Sequence, residues 1–225
     1  MPGAARPKLI GSTEMIADAL RDAICSSEIA PGAPLKQDEI AADFSVSHTP
    51  VREALKLLVS EGLATLHHNR GCFVSDLSSA VARELMEFRA LLEPRLAGWA
   101  LDHLTARDIE HARLIIARID KTSNPAQRLR LATEFHTVIY ARANRPFFLD
   151  QVSRARNNLN RYWRLAWGDQ TFPVSTQNEH QKILDLCVAR DRAGVMAFIE
   201  QHIMTSGEVV LRYLQRMEAD QATHP

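Results

Sequence analysis

From Ser78 onward every segment of this chain repeats its apolar residues at helical spacing, and no stretch alternates as a strand does. The second half is thereby restricted to packed helices. The segments run roughly over 79–103, 106–121, 125–143, 147–166, 176–190 and 191–217, and each break has local turn chemistry. HLTARD supplies a cap and a start, KTSNP a cap with proline at the first position, ANRP a turn, and GDQTFPVST the longest loop. An antiparallel six-helix bundle over 79–217 buries such apolar faces.

Residues 9–75 read differently. Ile10, Met15, Ile16, Ala19, Leu20, Ala23 and Ile24 mark an amphipathic helix over 10–27, with Ser12 or Thr13 as its N-cap. Pro31, Gly32 and Pro34 break it, and Leu35 opens a shorter helix through Ile40, Ala41 and Phe44. After the tight connection FSVSHTP, Ser47 or Thr49 can cap a third helix, in whose first turn Pro50 fits. Val51, Ala54, Leu55, Leu58 and Val59 form its inner face, and Gly62 ends it. LATLHHNRGCFVSDL then offers two short strands around Asn69, Arg70 and Gly71. Three helices and a hairpin make a winged helix. The expected fold is therefore mainly α, with an N-terminal winged helix-turn-helix and a C-terminal antiparallel six-helix bundle.

Bulk properties fit this division. A chain of 225 residues accommodates two cores, and 46% hydrophobic with 24% charged residues is the balance of an ordinary globular protein. No run reaches the length of a membrane span, and MPGAARPKLIGSTEM has no long apolar stretch behind its charges, so a cytoplasmic protein without a membrane partner is expected. Cys25, Cys72 and Cys187 form no CxxC pair and read as apolar fillers rather than disulfides or a thiolate zinc site.

Net charge is zero, and residues 1–75 hold seven Lys/Arg against nine Asp/Glu, so composition alone does not point to nucleic acid. Local distribution does. The acids fall mainly between Glu14 and Asp43, whereas Arg52, Lys56 and Arg70 sit with His48, His67 and His68. A face this weakly basic binds DNA poorly as a monomer, which makes a dimer the expected binding unit.

A helix-turn-helix presents the start of its second helix to the major groove, here Ser47, His48, Thr49 and Arg52. Arg52 has the two-pronged donor geometry for guanine, while Ser47 and Thr49 suit phosphates. Lys56, one turn on, can reach the backbone, and Asn69 and Arg70 at the hairpin tip can lie against the minor groove or its phosphates. The competing reading of Arg52 and Lys56 is a solvated helix face. His67 and His68 are weaker candidates, since adjacent strand residues face opposite sides.

The stretch APGAPLKQDEIAADFSVSHTPVREALKLLVSEGLATLHHNRGCFV resembles the N-terminal domain of the GntR family of transcription regulators, most specifically in VSHTPVREAL. One departure is His48, where relatives usually carry a DNA-contacting arginine; a neutral imidazole keeps a donor and loses the permanent charge. FRALLEPRLAGWA, EFHTVIYARANRP and EHQKILDLCVARDRAGVMAFIEQHI resemble the ligand-binding FCD domain of the family's FadR-like branch.

The resemblance implies a divalent ion, zinc or similar, held by three histidines and an aspartate one turn before the first of them. His136, His180 and His202 match the histidines, but the aspartate's position is Ala132. Three imidazoles still bind such an ion and leave positions open for water or a ligand carboxylate, with affinity reduced by the absent charge. Glu134, two residues from His136, points about 160° away and is a poor substitute. The alternative is that the histidines hydrogen-bond within a polar cavity that takes an organic ligand directly.

Arg89 is implied to meet the carboxylate of a small acidic effector, oriented by Glu93; the alternative is an intrahelical surface pair. Arg154, Asn157, Arg161 and Tyr162 are further candidates for the same pocket. The function expected is a DNA-binding transcription regulator, a repressor, acting as a homodimer on double-stranded DNA with a near-palindromic operator and controlled by the effector. The rivals are a metal-dependent enzyme using the three-histidine site and a helical module whose winged helix binds protein.

Overall fold

The computed structural model describes residues 12–168 and 177–223. Ile10, expected on the first helix, and residues 169–176 of the longest loop lie outside them. Two compact units divide between Asp76 and Leu77.

In the first unit, α1 (Thr13–Cys25) starts at Ser12, whose hydroxyl accepts from Met15 N at 3.3 Å. Its buried stripe of Ile16, Ala17, Leu20 and Ile24 joins Val51, Ala54, Leu55 and Leu58 of α3 (His48–Ser60) in one core. Between them lies α2 (Gln37–Phe44). It ends at Ser45 in the left-handed region, where Val46 N bonds to Ala41 O at 3.0 Å and turns the chain into α3. Gly62 (φ +72°) closes α3: its N–H reaches Val59 O and that of Leu63 reaches Leu58 O, the paired bonds of a Schellman stop. Arg21 of α1 makes a two-pronged ion pair with Glu61, at 2.7 and 2.8 Å, pinning α1 to the end of α3.

Strands β1 (Ala64–His67) and β2 (Gly71–Val74) pair antiparallel, with Ala64 opposite Val74 and His67 opposite Gly71. Leu35 does not open α2 as its apolar character suggests. Residues 32–35 instead run along β2, through Gly32 N to Val74 O, Val74 N to Ala33 O and Leu35 N to Cys72 O. Pro31 and Gly32 (φ +74°) make the turn closed by Ala33 N to Ala30 O at 3.1 Å, and Pro34 then pairs with Phe73, so Leu35 enters the core from a strand-like edge.

The second unit consists of α4 (Ser79–Ala100), α5 (Ala106–Lys121), α6 (Pro125–Tyr140), α7 (Pro146–Gly168), α8 (Gln177–Val188) and α9 (Arg192–Thr223), a six-helix bundle. Thr105 and Asp108 form a reciprocal capping box at the start of α5, and Asn124 caps α6. Asn144, in the left-handed region, turns the chain toward α7. α4 and α9 approach closely. A Cβ on Gly98 would stand 2.9 Å from Met196 Sδ, and one on Gly207 would stand 3.0 Å from Met86 Cγ. This core includes Met86, Leu96, Ile115, Phe135, Ile183 and Ile199. Among the described residues no helix is long and apolar enough to cross a membrane.

Candidate functional site

The buried stripe of α3 turns its other face outward. Ser47, His48, Thr49, Arg52 and Lys56 are all exposed along that face, and Asn69 and Arg70 are exposed at the hairpin tip. Ser47 stands at the N-cap position, yet its hydroxyl makes no cap bond and stays available to another acceptor or donor. Local partners differ among the cations. Lys56 Nζ lies 2.8 Å from Glu53 and His48 Nδ1 lies 3.5 Å from Asp38, whereas Arg52 has no ion pair among the described residues. Asn69 takes a positive φ of 60°, which tightens the tip, and Arg70 stacks its guanidinium 5.8 Å from the Phe73 ring centre.

In the second unit His136 of α6, His180 of α8 and His202 of α9 converge, their ring centres 5.2–5.4 Å apart. One ligand nitrogen from each lies within 4.8 Å of the others, and all three residues are buried. Hydrogen bonds orient two of the rings. Tyr140 OH donates to Glu93 Oε2 at 2.9 Å, so it accepts from His136 Nδ1 at 3.2 Å, leaving the lone pair on Nε2. Glu179 Oε2 accepts from His202 Nδ1 at 2.6 Å, with the same result for that ring. His180 Nδ1 is buried with no hydrogen-bond partner among the described residues.

Burial, reinforced by the Arg156 charge and the neighbouring histidines, holds His136 well below the usual imidazole range. Burial, followed by His202 and Arg156, brings His180 down to about 3. Both rings are therefore neutral at pH 7, the form that can ligate a metal.

Beside the histidines a cavity encloses about 560 Å³ of atom-free space, part of it open to solvent. Arg89, Ala132, Thr133, Arg156, Asn160, Trp163 and Ser206 line it together with the three histidines. Glu93, fully buried, accepts from Arg89 Nε at 2.6 Å, from Arg156 Nε at 3.0 Å and from Tyr140. Burial opposes the charge on Glu93, but the Arg156 and Arg89 guanidiniums overcome it and hold the carboxyl down to about 2. Two buried guanidiniums share this single carboxylate.

More than half of the chain, residues 84–205, matches the FCD domain family, and residues 12–74 match the bacterial regulatory proteins of the gntR family. The chain belongs to the GntR family, in its FCD-bearing branch. This GntR regulator is 28% identical over 187 residues to the Nta operon transcriptional regulator of Aminobacter aminovorans, covering 82% of this chain and 88% of that protein. It is 23% identical to the galactonate operon transcriptional repressor of Escherichia coli (strain K12), over 78% of this chain and 86% of that one. Its fold is shared with E. coli McbR/YncC, at a TM-score of 0.77 and 18% identity, covering 91% of this chain and 99% of that chain. The protein is a DNA-binding transcription regulator and not an enzyme.

The residues expected around an effector in the GntR regulator differ in where they lie. The Arg89–Glu93 pair exists, but inside the bundle rather than on its surface. Arg154, Asn157, Arg161 and Tyr162 are absent from the described cavity wall; α7 contributes Arg156, Leu159, Asn160 and Trp163 instead. For Arg154 the reason is helical phase. Positions 156, 160 and 163 share a face, whereas 154 lies about 200° round from 156. Arg154 accordingly points outward, where it pairs with Asp150 at 2.9 Å. Arg161 and Tyr162 are buried, and Tyr162 shares the face of Ala155 and Leu159, yet neither stands on the described cavity wall. Glu179, next to His180 in sequence, reaches across to His202, a contact that single-helix spacing does not reveal.

Proposed function

We propose that this regulator is a repressor that binds a near-palindromic operator as a homodimer in the cytoplasm and responds to a small carboxylate held in the bundle cavity, with a divalent ion on His136, His180 and His202. The observation that carries the effector class is the pair of buried guanidiniums, Arg89 and Arg156, on one shared carboxylate beside neutral histidines. That wall has one positive charge in excess, and an uncompensated buried charge favours an anion. The named operon of a relative, galactonate, is that of a sugar acid and supports the same class. The donor set fits an ion: the lone pairs of His136 and His202 are turned away from Tyr140 and Glu179, and His180 has an unsatisfied buried ring nitrogen. When bound, the ion would supply a strong anchor for an anionic ligand. Ligand and operator are coupled only so far as the ligand binds one dimer arrangement better than the other.

On the DNA side, Arg52→Ala is expected to weaken binding to the operator by about 5- to 150-fold, or about 1–3 kcal/mol. Fluorescence anisotropy with a labelled fragment from upstream of the regulator's own gene measures it. Unchanged affinity removes Arg52 from base reading. For the site, elemental analysis of the purified protein is expected to give about one divalent ion per chain, and His180→Ala to lose it. Protein that neither carries nor takes up an ion overturns the metal reading and leaves the anion to Arg89 and Arg156.

A further inference from the structure

We propose that the cavity takes its divalent cation and a carboxylate as a pair, each raising the affinity for the other, the carboxylate lying beside Ala132 and completing the ion's ligand set. This rests on the reading of the three histidines as a metal site and adds the condition under which that site fills.

The inference follows from the charges on the cavity wall. Arg89 and Arg156 are both buried and Glu93 lies between them, so the group carries one positive charge in excess. The Tyr140 phenol donates its proton to Glu93 Oε2 at 2.9 Å and adds no negative charge. The imidazoles of His136, His180 and His202 bring lone pairs but no negative charge. An ion entering alone adds two more positive charges to this wall without an anionic ligand among the three residues. Glu179 offsets part of this, but it acts through His202 and its side chain is 27% exposed, where water screens it.

Ala132 lines the cavity one turn before His136, on the same face of α6. Its methyl group leaves this stretch of the wall without a charge. A three-nitrogen tripod keeps at least one coordination position open. A carboxylate there would stand between the ion and the buried guanidiniums of the same wall, where Asn160 and Ser206 offer amide and hydroxyl donors. The anion cancels repulsion that the ion meets alone, and the ion strengthens the anion's hold. Linkage makes the two effects equal.

The test uses full-length protein stripped with chelator and titrated with cobalt(II), followed by its visible absorption, in acetate and in chloride at equal ionic strength. Acetate is expected to raise cobalt affinity at least tenfold. Ala132→Asp supplies a carboxylate from the chain, so it is expected to bind cobalt at least tenfold more tightly than the parent in chloride and to lose the response to acetate. Ala132→Asn, of similar size but uncharged, is expected to keep the response. Tight cobalt binding by the parent protein that acetate leaves unchanged overturns the pairing and leaves the metal site standing. No cobalt uptake by the parent or Ala132→Asp, with or without acetate, overturns the pairing together with the metal reading.

Discussion

Glu93→Gln is expected to destabilise the C-terminal unit by about 3–5 kcal/mol, the range for removing one partner of a buried ion pair. Glu93 is fully buried and accepts from two guanidiniums and a phenol. The amide keeps the shape but carries no charge, so Arg89 and Arg156 are left facing each other inside the bundle. The three tryptophans, Trp99, Trp163 and Trp167, all lie beyond Leu77. Urea unfolding followed by tryptophan fluorescence therefore reports on this unit without a contribution from the winged helix. A triple variant, Arg89→Met with Glu93→Leu and Arg156→Met, is expected to recover most of the loss, because it removes the buried charges together. A loss below about 1 kcal/mol for Glu93→Gln would show that the charges are better solvated than the burial of these side chains implies.

The same group shows how far residue order carries an interpretation. Helix existence was legible from the apolar repeat, the starts from Thr105 and Asn124, and the stops from Gly62 and Asn144, because caps and left-handed turns are local chemistry. His136, His180 and His202 were legible through resemblance, and the structure brings them together from three helices. Arg156 and Tyr140 were not. Their role arises where α4, α6 and α7 meet, and nothing within one helix says that Glu93 will face Arg156, 63 residues later. Leu35 illustrates the converse: apolar character placed it correctly in the core, but the element that delivers it was decided by hydrogen bonds to β2. At the face proposed to read DNA the sequence pattern and the structure meet at the exposed side of α3, since that surface needs only one amphipathic helix.

Chelator-treated protein is expected to lose stability as the pH falls below about 6.5, well before ordinary carboxylates titrate. His180 has an unfolded reference of 6.5 and is brought down to about 3 in the fold, by burial first and then by His202 and Arg156. Between those values the unfolded chain binds a proton that the folded one refuses. Its stabilising contribution is thus fully present above 6.5 and is lost as the pH falls toward 3, by about 2 kcal/mol between pH 6.5 and 5. His136 is shifted in the same direction and adds to the slope. Glu93 acts in a lower window: with its reference at 4.5 and its folded value near 2, its contribution is present above 4.5 and disappears as the pH falls toward 2. Urea midpoints by tryptophan fluorescence at half-unit intervals from pH 8 to 4.5 isolate the histidine contribution. The parent protein should decline from about 6.5, and His180→Asn should flatten the decline above 4.5 by removing one refused proton. A parent curve flat from pH 7 to 5 would mean that these rings accept protons within the fold. Cobalt added to the parent should move the decline to lower pH, because the ion and the proton compete for the same ring nitrogens.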